Sequence, residues 1–398
     1  LPVRYIKEVV TDDKGQFVVP DLPAATYDVW VRGYGLVDSA KVQSTPGKVL
    51  SLTATPAPNE AAAAEYYPAI YWFSLLHIPA KEDFGPTSAK FPPQWDQQAW
   101  LNQMKNNGCV GCHQLGQKAT RTLPAAFASI TPSAAAWQRR TMSGQAGQLM
   151  TAQLTSMGGM GYQLFGEWTD AIAKGALPTM KPTRPQGAER NVVITLRDWA
   201  DEKRYLHDLI SSDKRNPTVN ANGQLYGQTE YSTDNLPILD PVKNVASSFH
   251  APVQDKNMPV SLGPGHAAFA TPLQPSAYWG DEVIWDSHVN NHNAMMDGRG
   301  RVWLAAAVRG RENPAYCKKG SSLPSAKLFP LNESNRQVAV WDPKTNDYKF
   351  VDTCFETHHP SFAFDENDTL WTSGGGPVVG WVNTKVFDET GDAQKAQG

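Results

Sequence analysis

The pentapeptide Cys109–His113 constrains this chain more than any other stretch of its 398 residues. Two cysteines three positions apart are followed directly by a histidine. Thiols at this spacing can add across the two vinyl groups of a haem, and the adjacent imidazole can ligate the iron. The motif therefore predicts one covalently attached haem c, held by Cys109, Cys112 and His113.

Two other interpretations of this motif make demands that the sequence does not meet. A thioredoxin-like dithiol would open the first helix of a βαβ unit, but Trp95–Asn107 predicts a helix with no buried strand before it. A four-ligand zinc site would need another close Cys/His pair, whereas Cys317 and Cys354 lie far from the motif and from each other. The haem interpretation is therefore preferred.

The surroundings of the motif resemble the mono-haem cytochrome c domain over roughly residues 95–213. The resemblance rests on Gly108–Gly116 and on Pro124 a short way downstream. It implies an all-α domain that transfers electrons. It also implies that the Pro124 carbonyl accepts a hydrogen bond from the ring of His113, which would fix the ring's orientation.

The same resemblance implies a methionine as the second axial ligand, in a loop ahead of the last helix. Met180 lies in such a loop, before Glu189–His207, for which a helix is predicted. Met180 is therefore the expected sixth ligand, with Met160 and His207 as its rivals. Other methionines of the segment ordinarily fill core space; they are Met142, Met150 and Met157.

Residues 1–65 alternate apolar and polar side chains around turn signals, as half-buried strands do. The segments Thr11–Pro23 and Thr26–Gly35 resemble the carboxypeptidase regulatory-like domain, an Ig-like β-sandwich. The resemblance implies an N-terminally clipped domain with a packing or adhesion role. Residues 66–94 are interpreted as a linker or packing segment, whose aromatic stretch Tyr66–Phe73 is expected to be a core strand or, alternatively, a surface packed on the haem domain.

Residues 214–398 change to short strands and turns rich in Gly, Asp and Asn. Asn291–Leu304 and His359–Thr372 repeat one pattern, in which an apolar strand and an Asp-led turn precede a strand carrying Trp. Val338–Phe350 adds a hairpin between them. The repeat resembles the β-propeller of the streptogramin lyase family. It implies the first blades of a C-terminally incomplete propeller, with further blades in the same gene product or in a second chain.

Histidines precede both repeats at equivalent points: His288, His292, His358 and His359. Propeller strands run beside a central channel there, so these side chains are candidate catalytic residues. They could bind copper or another transition metal, with His292 and His359 as ligands, act as acid and base, or only cap turns. His250 and His266 are weaker candidates. Asp286 and Glu356 are candidates to orient an imidazole.

Charge and hydropathy exclude some classes of partner, and the haem motif indicates the compartment. Acidic and basic residues are mixed along the chain, with a formal net charge of −3, so no nucleic-acid surface is predicted. No apolar run is long enough to span a bilayer. Haem attachment to this motif takes place outside the cytoplasm, so we expect a removed leader and a periplasmic or secreted protein.

Two cysteines remain outside the haem motif. Cys317 and Cys354 would meet an oxidising compartment, where a disulfide between two loops is the expected state. Closing that loop would stabilise the fold by about 4 kcal/mol in the chain-entropy model. Copper ligation by one of the two thiols is the alternative.

Three hypotheses for function follow from this multidomain organisation. The first is a periplasmic c-type haem oxidoreductase, in which a small molecule reacts in the propeller channel and electrons pass through the haem to an external acceptor or redox partner protein. The second is a non-enzymatic electron-transfer or binding protein. The third is a propeller lyase of streptogramin-lyase type, whose redox-neutral reaction would leave the haem without a role.

Overall fold

A computed structural model describes residues 1–106, 108–260, 272–374 and 378–398. The chain is multidomain, as predicted, and divides into two compact units. We call the first the helical unit and the second the sheet unit. The helical unit comprises Lys7–Thr195 and Pro272–Glu282, and the sheet unit comprises Leu1–Ile6, Leu196–Thr271 and Val283–Gly398.

The first 65 residues contain five short strands and one helix. These are β1 (Arg4–Glu8), β2 (Tyr27–Val29), β3 (Leu36–Val37), β4 (Val42–Ser44), β5 (Thr55–Pro56) and α1 (Glu60–Ala64). β2 pairs antiparallel with β4, and β3 pairs antiparallel with β5. Two-stranded sheets of this length bury little apolar surface, so they depend on neighbouring elements for stability.

The strands expected across Thr11–Pro23 do not form. The carboxylate of Asp12 accepts hydrogen bonds from the amides of Lys14 and Gln16, which closes a turn at the predicted place. The residues after this turn form no strand. The turn prediction is confirmed, and the strand prediction is wrong for this segment.

Seven further helices form the rest of the helical unit, joined by short 3₁₀ turns. They are α2 (Ala69–Phe73), α3 (Gln97–Leu101), α4 (Cys109–Cys112), α5 (Lys118–Arg121), α6 (Ser133–Thr141), α7 (Gly147–Thr155) and α8 (Gly159–Ala173). A π-helical stretch, Asn102–Asn106, continues α3. The helix predicted ahead of Cys109 is therefore confirmed over Gln97–Asn106.

Large aromatic side chains make the core of the helical unit. Phe73, Phe91, Trp100 and Trp168 are all buried in one apolar cluster. Phe73 comes from α2, so the aromatic stretch that begins at Tyr66 contains a helix and not a strand. The alternative interpretation of this stretch, a surface that packs against the helices around the cysteine motif, matches the structure.

The helix predicted over Glu189–His207 does not form. A 3₁₀ turn (Gly187–Asn191) is followed by the strands β6 (Ile194–Asp198) and β7 (Asp208–Ile210). The run Val192–Thr195 consists of β-branched residues, which lose rotamer freedom in a helix and fit an extended backbone. The all-α expectation for residues 95–213 is therefore wrong at its C-terminal end.

Within the described residues, three antiparallel sheets, each connected in simple sequence order, make up most of the sheet unit. The first is β7 with β8 (Leu225–Gln228), β9 (Asn235–Asp240) and β10 (Val245–His250). The second is β11 (Ala294–Met296), β12 (Val302–Ala306), β13 (Gln337–Asp342) and β14 (Asp347–Val351). The third is β15 (His359–Phe362), β16 (Thr369–Ser373) and β17 (Val379–Asn383). The short helices of this unit are α9 (Pro324–Leu328), α10 (Thr384–Thr390) and α11 (Ala393–Ala396).

The predicted repeat of two hairpins is confirmed. In the first, Asp297 accepts backbone hydrogen bonds from Arg299 and Arg301 and closes the turn between β11 and β12. In the second, Asp365 accepts one from Thr369 and closes the turn between β15 and β16. An Asx-type turn of this kind mimics a backbone turn, which explains the aspartate at this point.

A disulfide joins Cys317 and Cys354, as predicted, across 5.1 Å between their Cα atoms. Both sulfur-bearing side chains are buried in the sheet unit. Within the part of the chain that the structure describes, no helix is both long and apolar enough to cross a membrane.

Candidate active site

Four histidines are distributed over the first strands of the three antiparallel sheets, and each lies at or just before one of these strands. They are His207 before β7, His292 before β11, and His358 and His359 at β15. The first strands are neighbours, because β11 contacts both β7 and β15. Backbone hydrogen bonds fix the entry points: the amide of His292 donates to the Ala305 carbonyl at 2.9 Å, and that of His358 donates to the Ser373 carbonyl at 2.8 Å.

The imidazole rings meet around His292. The ring centroid of His292 lies 4.0 Å from that of His358, 4.2 Å from that of His207 and 5.2 Å from that of His359. His292 is buried, His358 is partly buried, and His359 and His207 are exposed. The cluster therefore extends from the interior of the sheet unit to its surface. We call these four residues the histidine cluster.

A buried ion pair supports the base of the histidine cluster. Glu230 Oε1 accepts hydrogen bonds from His292 Nδ1 at 2.9 Å and from Arg336 Nη2 at 2.7 Å. Glu230 Oε2 accepts one from the hydroxyl of Tyr205 at 2.7 Å. Arg336 also donates through Nε to the Asn290 carbonyl at 2.8 Å. The charges of the pair are thus matched and hydrogen-bonded, which a buried ion pair requires.

The backbone beside this ion pair is strained. Glu230 has a φ of 46° and Asn290 a φ of 44°, both in the left-handed region. A side chain longer than that of Asn or Gly in this region costs on the order of 1 kcal/mol or more. The contacts of Arg336 with both residues hold the conformation, so the fold stabilises a costly geometry at the cluster.

The surroundings lower the pKa values of Glu230, His292 and His358. Burial opposes ionisation of Glu230, but the hydrogen bond from His292, the charge of Arg336 and the hydrogen bond from Tyr205 outweigh it and lower its pKa to about 2. Burial, with the neighbouring imidazoles, lowers the pKa of His358 to about 4. Burial also lowers the pKa of His292, although Glu230 opposes this shift.

The remaining predicted histidines do not join the cluster. His288 Nδ1 lies 2.8 Å from Asp234 Oδ2, and the same carboxylate accepts the backbone amide of His288 at 2.7 Å. His288 therefore has the turn-capping role that was the alternative for these histidines. His250 is exposed and contacts the side chain of Asn235. His266 lies outside the described residues.

The carboxylates expected to orient an imidazole have other partners. Asp286 accepts a hydrogen bond from Arg204, and Glu356 accepts one from the side chain of Asn335 at 3.0 Å. Glu230 orients His292 instead. Sequence reasoning did not select Glu230 or Arg336, and it assigned His207 to the haem domain. His207 lies just ahead of the first strand of its sheet, as His292 and His358 do. This equivalent position was the signal that could have identified His207 as a member of the cluster.

The cysteine motif lies in the helical unit on a single helical turn, α4. Cys109 and Cys112 are both free thiols, Cys109 partly buried against the aromatic core and Cys112 exposed. His113 follows directly and is exposed, while the desolvation by nearby protein and the charge of Arg140 lower its pKa. The Sγ atom of Cys109 lies 3.9 Å from the Sδ atom of Met104.

The other residues expected at the haem lie at defined places in the helical unit. The Pro124 carbonyl accepts a hydrogen bond from the amide of Phe127 at 2.9 Å, and among the described residues it has none from His113. Met180 is 69 % exposed in an irregular segment. Met160 packs against the aromatic core and lines a cavity of about 470 Å³.

Comparison with protein-family models, with curated proteins and with solved structures finds no match for this chain. Its function is therefore argued from its own residues.

Proposed function

We propose that this chain is a c-type haem oxidoreductase, in which a small molecule reacts at the histidine cluster and its electrons leave through a covalent haem. One observation carries the proposal: two free thiols lie one helical turn apart on α4, and an imidazole follows at once. A turn of helix directs residues i and i+3 to one side. Cys109 and Cys112 can therefore both reach one porphyrin edge.

The residues present fit a covalent haem. The other two cysteines of the chain are joined to each other, so Cys109 and Cys112 are the pair available for thioether bonds. His113 would ligate the iron, and Met180 is the sixth ligand we favour over Met160. A bound haem with a thioether ligand would supply a one-electron carrier of high potential.

We infer that the three sheets are blades of a β-propeller, related to the streptogramin lyase type. Each sheet follows sequence order, and the first strands of neighbouring sheets are in contact. In a propeller the first strand of each blade lines the central channel, and channels are common ligand sites. The short strands of residues 1–65 would form an Ig-like sandwich with a packing or adhesion role.

The histidine cluster would be the place where the substrate binds and reacts. His207 and His359 are exposed and can contact a small molecule, whereas His358 is partly buried and His292 is buried. Glu230 and Arg336 neutralise each other, so they leave no unpaired charge at the base of the cluster. The electrons would pass through the haem to a redox partner protein or other acceptor in the periplasm or outside the cell.

Anaerobic mixing of the oxidised haem protein with a panel of alcohols, aldehydes and phenols tests this proposal. At least one compound should reduce the haem in the wild type and in His288→Ala, whose histidine lies outside the cluster. His359→Ala should react at least about 100-fold more slowly, which is the size of effect expected when one positioned catalytic group is lost. Product formation while the haem stays oxidised would instead identify a redox-neutral lyase. Equal haem reduction in all variants would remove the cluster from the reaction.

A further inference from the structure

We propose that His292, His358 and His359 form a three-imidazole binding site for a divalent transition-metal ion, copper or zinc. One ligand nitrogen from each residue lies within 4.8 Å of the others. Such convergence leaves room for one ion to contact all three after small ring movements, because imidazole–metal bonds are about 2.0–2.1 Å long. We call this arrangement the three-histidine site.

The buried nitrogen of His292 is the first reason. His292 is 4 % exposed, and its Nε2 atom has no hydrogen-bond partner in the part of the chain that the structure describes. A buried polar atom without a partner costs about 1–3 kcal/mol, so it needs an explanation. A metal ion bound at Nε2 removes this cost.

The hydrogen bond to Glu230 supplies the second reason. Arg336 and Tyr205 both donate to Glu230, which identifies its carboxylate as an acceptor. His292 must therefore carry its proton on Nδ1, the atom that faces Glu230, and its lone pair on Nε2. Carboxylates fix the tautomer of metal-binding histidines in this way. Glu230 thus acts as a positioning residue.

A second group, His207, Glu230 and His292, also brings three ligand atoms together. Glu230 is a poor ligand, however, because Oε1 accepts from His292 and Arg336 and Oε2 accepts from Tyr205. A metal at Glu230 would have to displace these hydrogen bonds and approach a buried guanidinium. The three-histidine site requires neither change, so we assign the ion to it.

The donor set selects the class of metal. Imidazole nitrogen suits copper, zinc, nickel and iron, whereas magnesium and calcium take oxygen ligands. Three protein ligands leave a coordination position open for water or substrate, as in catalytic zinc sites. This inference rests on the proposed function only in placing the chemistry at the cluster, since metal binding can be measured whether or not haem is attached.

Titration calorimetry of the chelator-treated full chain tests the site, with Cu²⁺ and Zn²⁺ as probes and Mg²⁺ as the reference ion. Haem content is measured on the same samples. The variants are His358→Ala, His359→Ala and Glu230→Gln, with His288→Ala and His207→Ala as matched controls. Circular dichroism checks that each variant folds, and His359 is exposed, so its replacement leaves the core intact.

The wild type should bind one Cu²⁺ or Zn²⁺ ion per chain and no Mg²⁺. His358→Ala and His359→Ala should weaken binding by more than about 100-fold, and Glu230→Gln by roughly 10- to 100-fold, because lost ligands cost more than lost outer partners. His288→Ala and His207→Ala should bind as the wild type does. Unchanged binding in His359→Ala, loss of binding in His207→Ala, or no stoichiometric ion in the wild type would each overturn the assignment. Absence of haem with normal metal binding would contradict the proposed function alone.

Discussion

His292 Nδ1 and Glu230 Oε1 lie 2.9 Å apart, in a hydrogen bond that links the histidine cluster to a buried ion pair. The bond ties the first strand of the second sheet to the segment that follows β8. Glu230 has a φ in the left-handed region, its charge is paired with that of Arg336, and its hydrogen bond places the proton of His292 on Nδ1.

Replacement of Glu230 should destabilise the sheet unit strongly. Glu230→Gln leaves Arg336 buried without its counter-charge, and removal of one partner of a buried pair costs about 3–5 kcal/mol. Urea unfolding of the two proteins measures the difference. Asp286→Asn is the control, because its ion pair with Arg204 is more exposed and should contribute at most about 1 kcal/mol. Equal effects of the two substitutions would contradict the role of the Glu230–Arg336 pair.

His358 should make the metal-free protein sensitive to mild acid. Burial and the neighbouring imidazoles lower its pKa to about 4 in the folded chain, from an ordinary value of 6.5. The unfolded chain therefore binds the proton first, so stability from this residue is complete above pH 6.5 and falls as the pH drops toward 4. The loss should be about 1–2 kcal/mol, because His358 is only partly buried and solvent screens the charge of its protonated ring.

Unfolding curves of the wild type and of His358→Asn between pH 7 and pH 4 check this expectation. The variant should lose less stability over that interval than the wild type loses. A pKa near 6.5 for His358 by NMR would contradict this expectation, because it would mean that neither burial nor the neighbouring imidazoles disfavour the charged ring.

The sequence predicted the hairpins of the sheet unit because their signals are local. Asp297 and Asp365 close tight turns with their own backbone neighbours, so a few residues determine the geometry. The helix expected over Glu189–His207 does not form, because the β-branched run Val192–Thr195 favours an extended backbone and β6 pairs with β1. This strand depends on a partner distant in sequence, which spacing alone does not reveal.

The candidate site was predicted in part. His292, His358 and His359 were selected by their equivalent places in two repeats, and the structure brings them together. His288 was selected for the same reason, but the carboxylate of Asp234 holds it in a turn. Glu230 and Arg336 are 106 positions apart in sequence and belong to no motif, so only the folded chain shows their contact.

The disulfide should carry a substantial part of the stability of the sheet unit. Cys317 and Cys354 close a loop with a sequence separation of 37 residues. Loss of this cross-link in the Cys317→Ser/Cys354→Ser double variant should cost about 4 kcal/mol by the chain-entropy model. Denaturant unfolding measures the change, and a reductant should lower the stability of the wild type alone. A stability unchanged by the double substitution would show that the cross-link does not restrict the unfolded chain.

Met180→Ala should remove the sulfur-to-iron absorption band of the oxidised haem protein while the haem stays attached. The exposed Met180 is free to turn toward a bound haem, whereas Met160 is held by the aromatic core. Optical spectra of the two alanine variants at matched haem content decide between them. Loss of the band in Met160→Ala and its retention in Met180→Ala would reverse the assignment.

An optical spectrum tests the proposed haem oxidoreductase most directly. The chain is produced in a host that attaches c-type haem, and its spectrum is recorded after air oxidation and again after reduction with dithionite. We predict a sharp c-type spectrum on reduction and about one covalent haem per chain. The Cys109→Ser/Cys112→Ser variant should carry no covalent haem. A chain that folds, forms the Cys317–Cys354 disulfide and shows no haem absorption would contradict the oxidoreductase proposal.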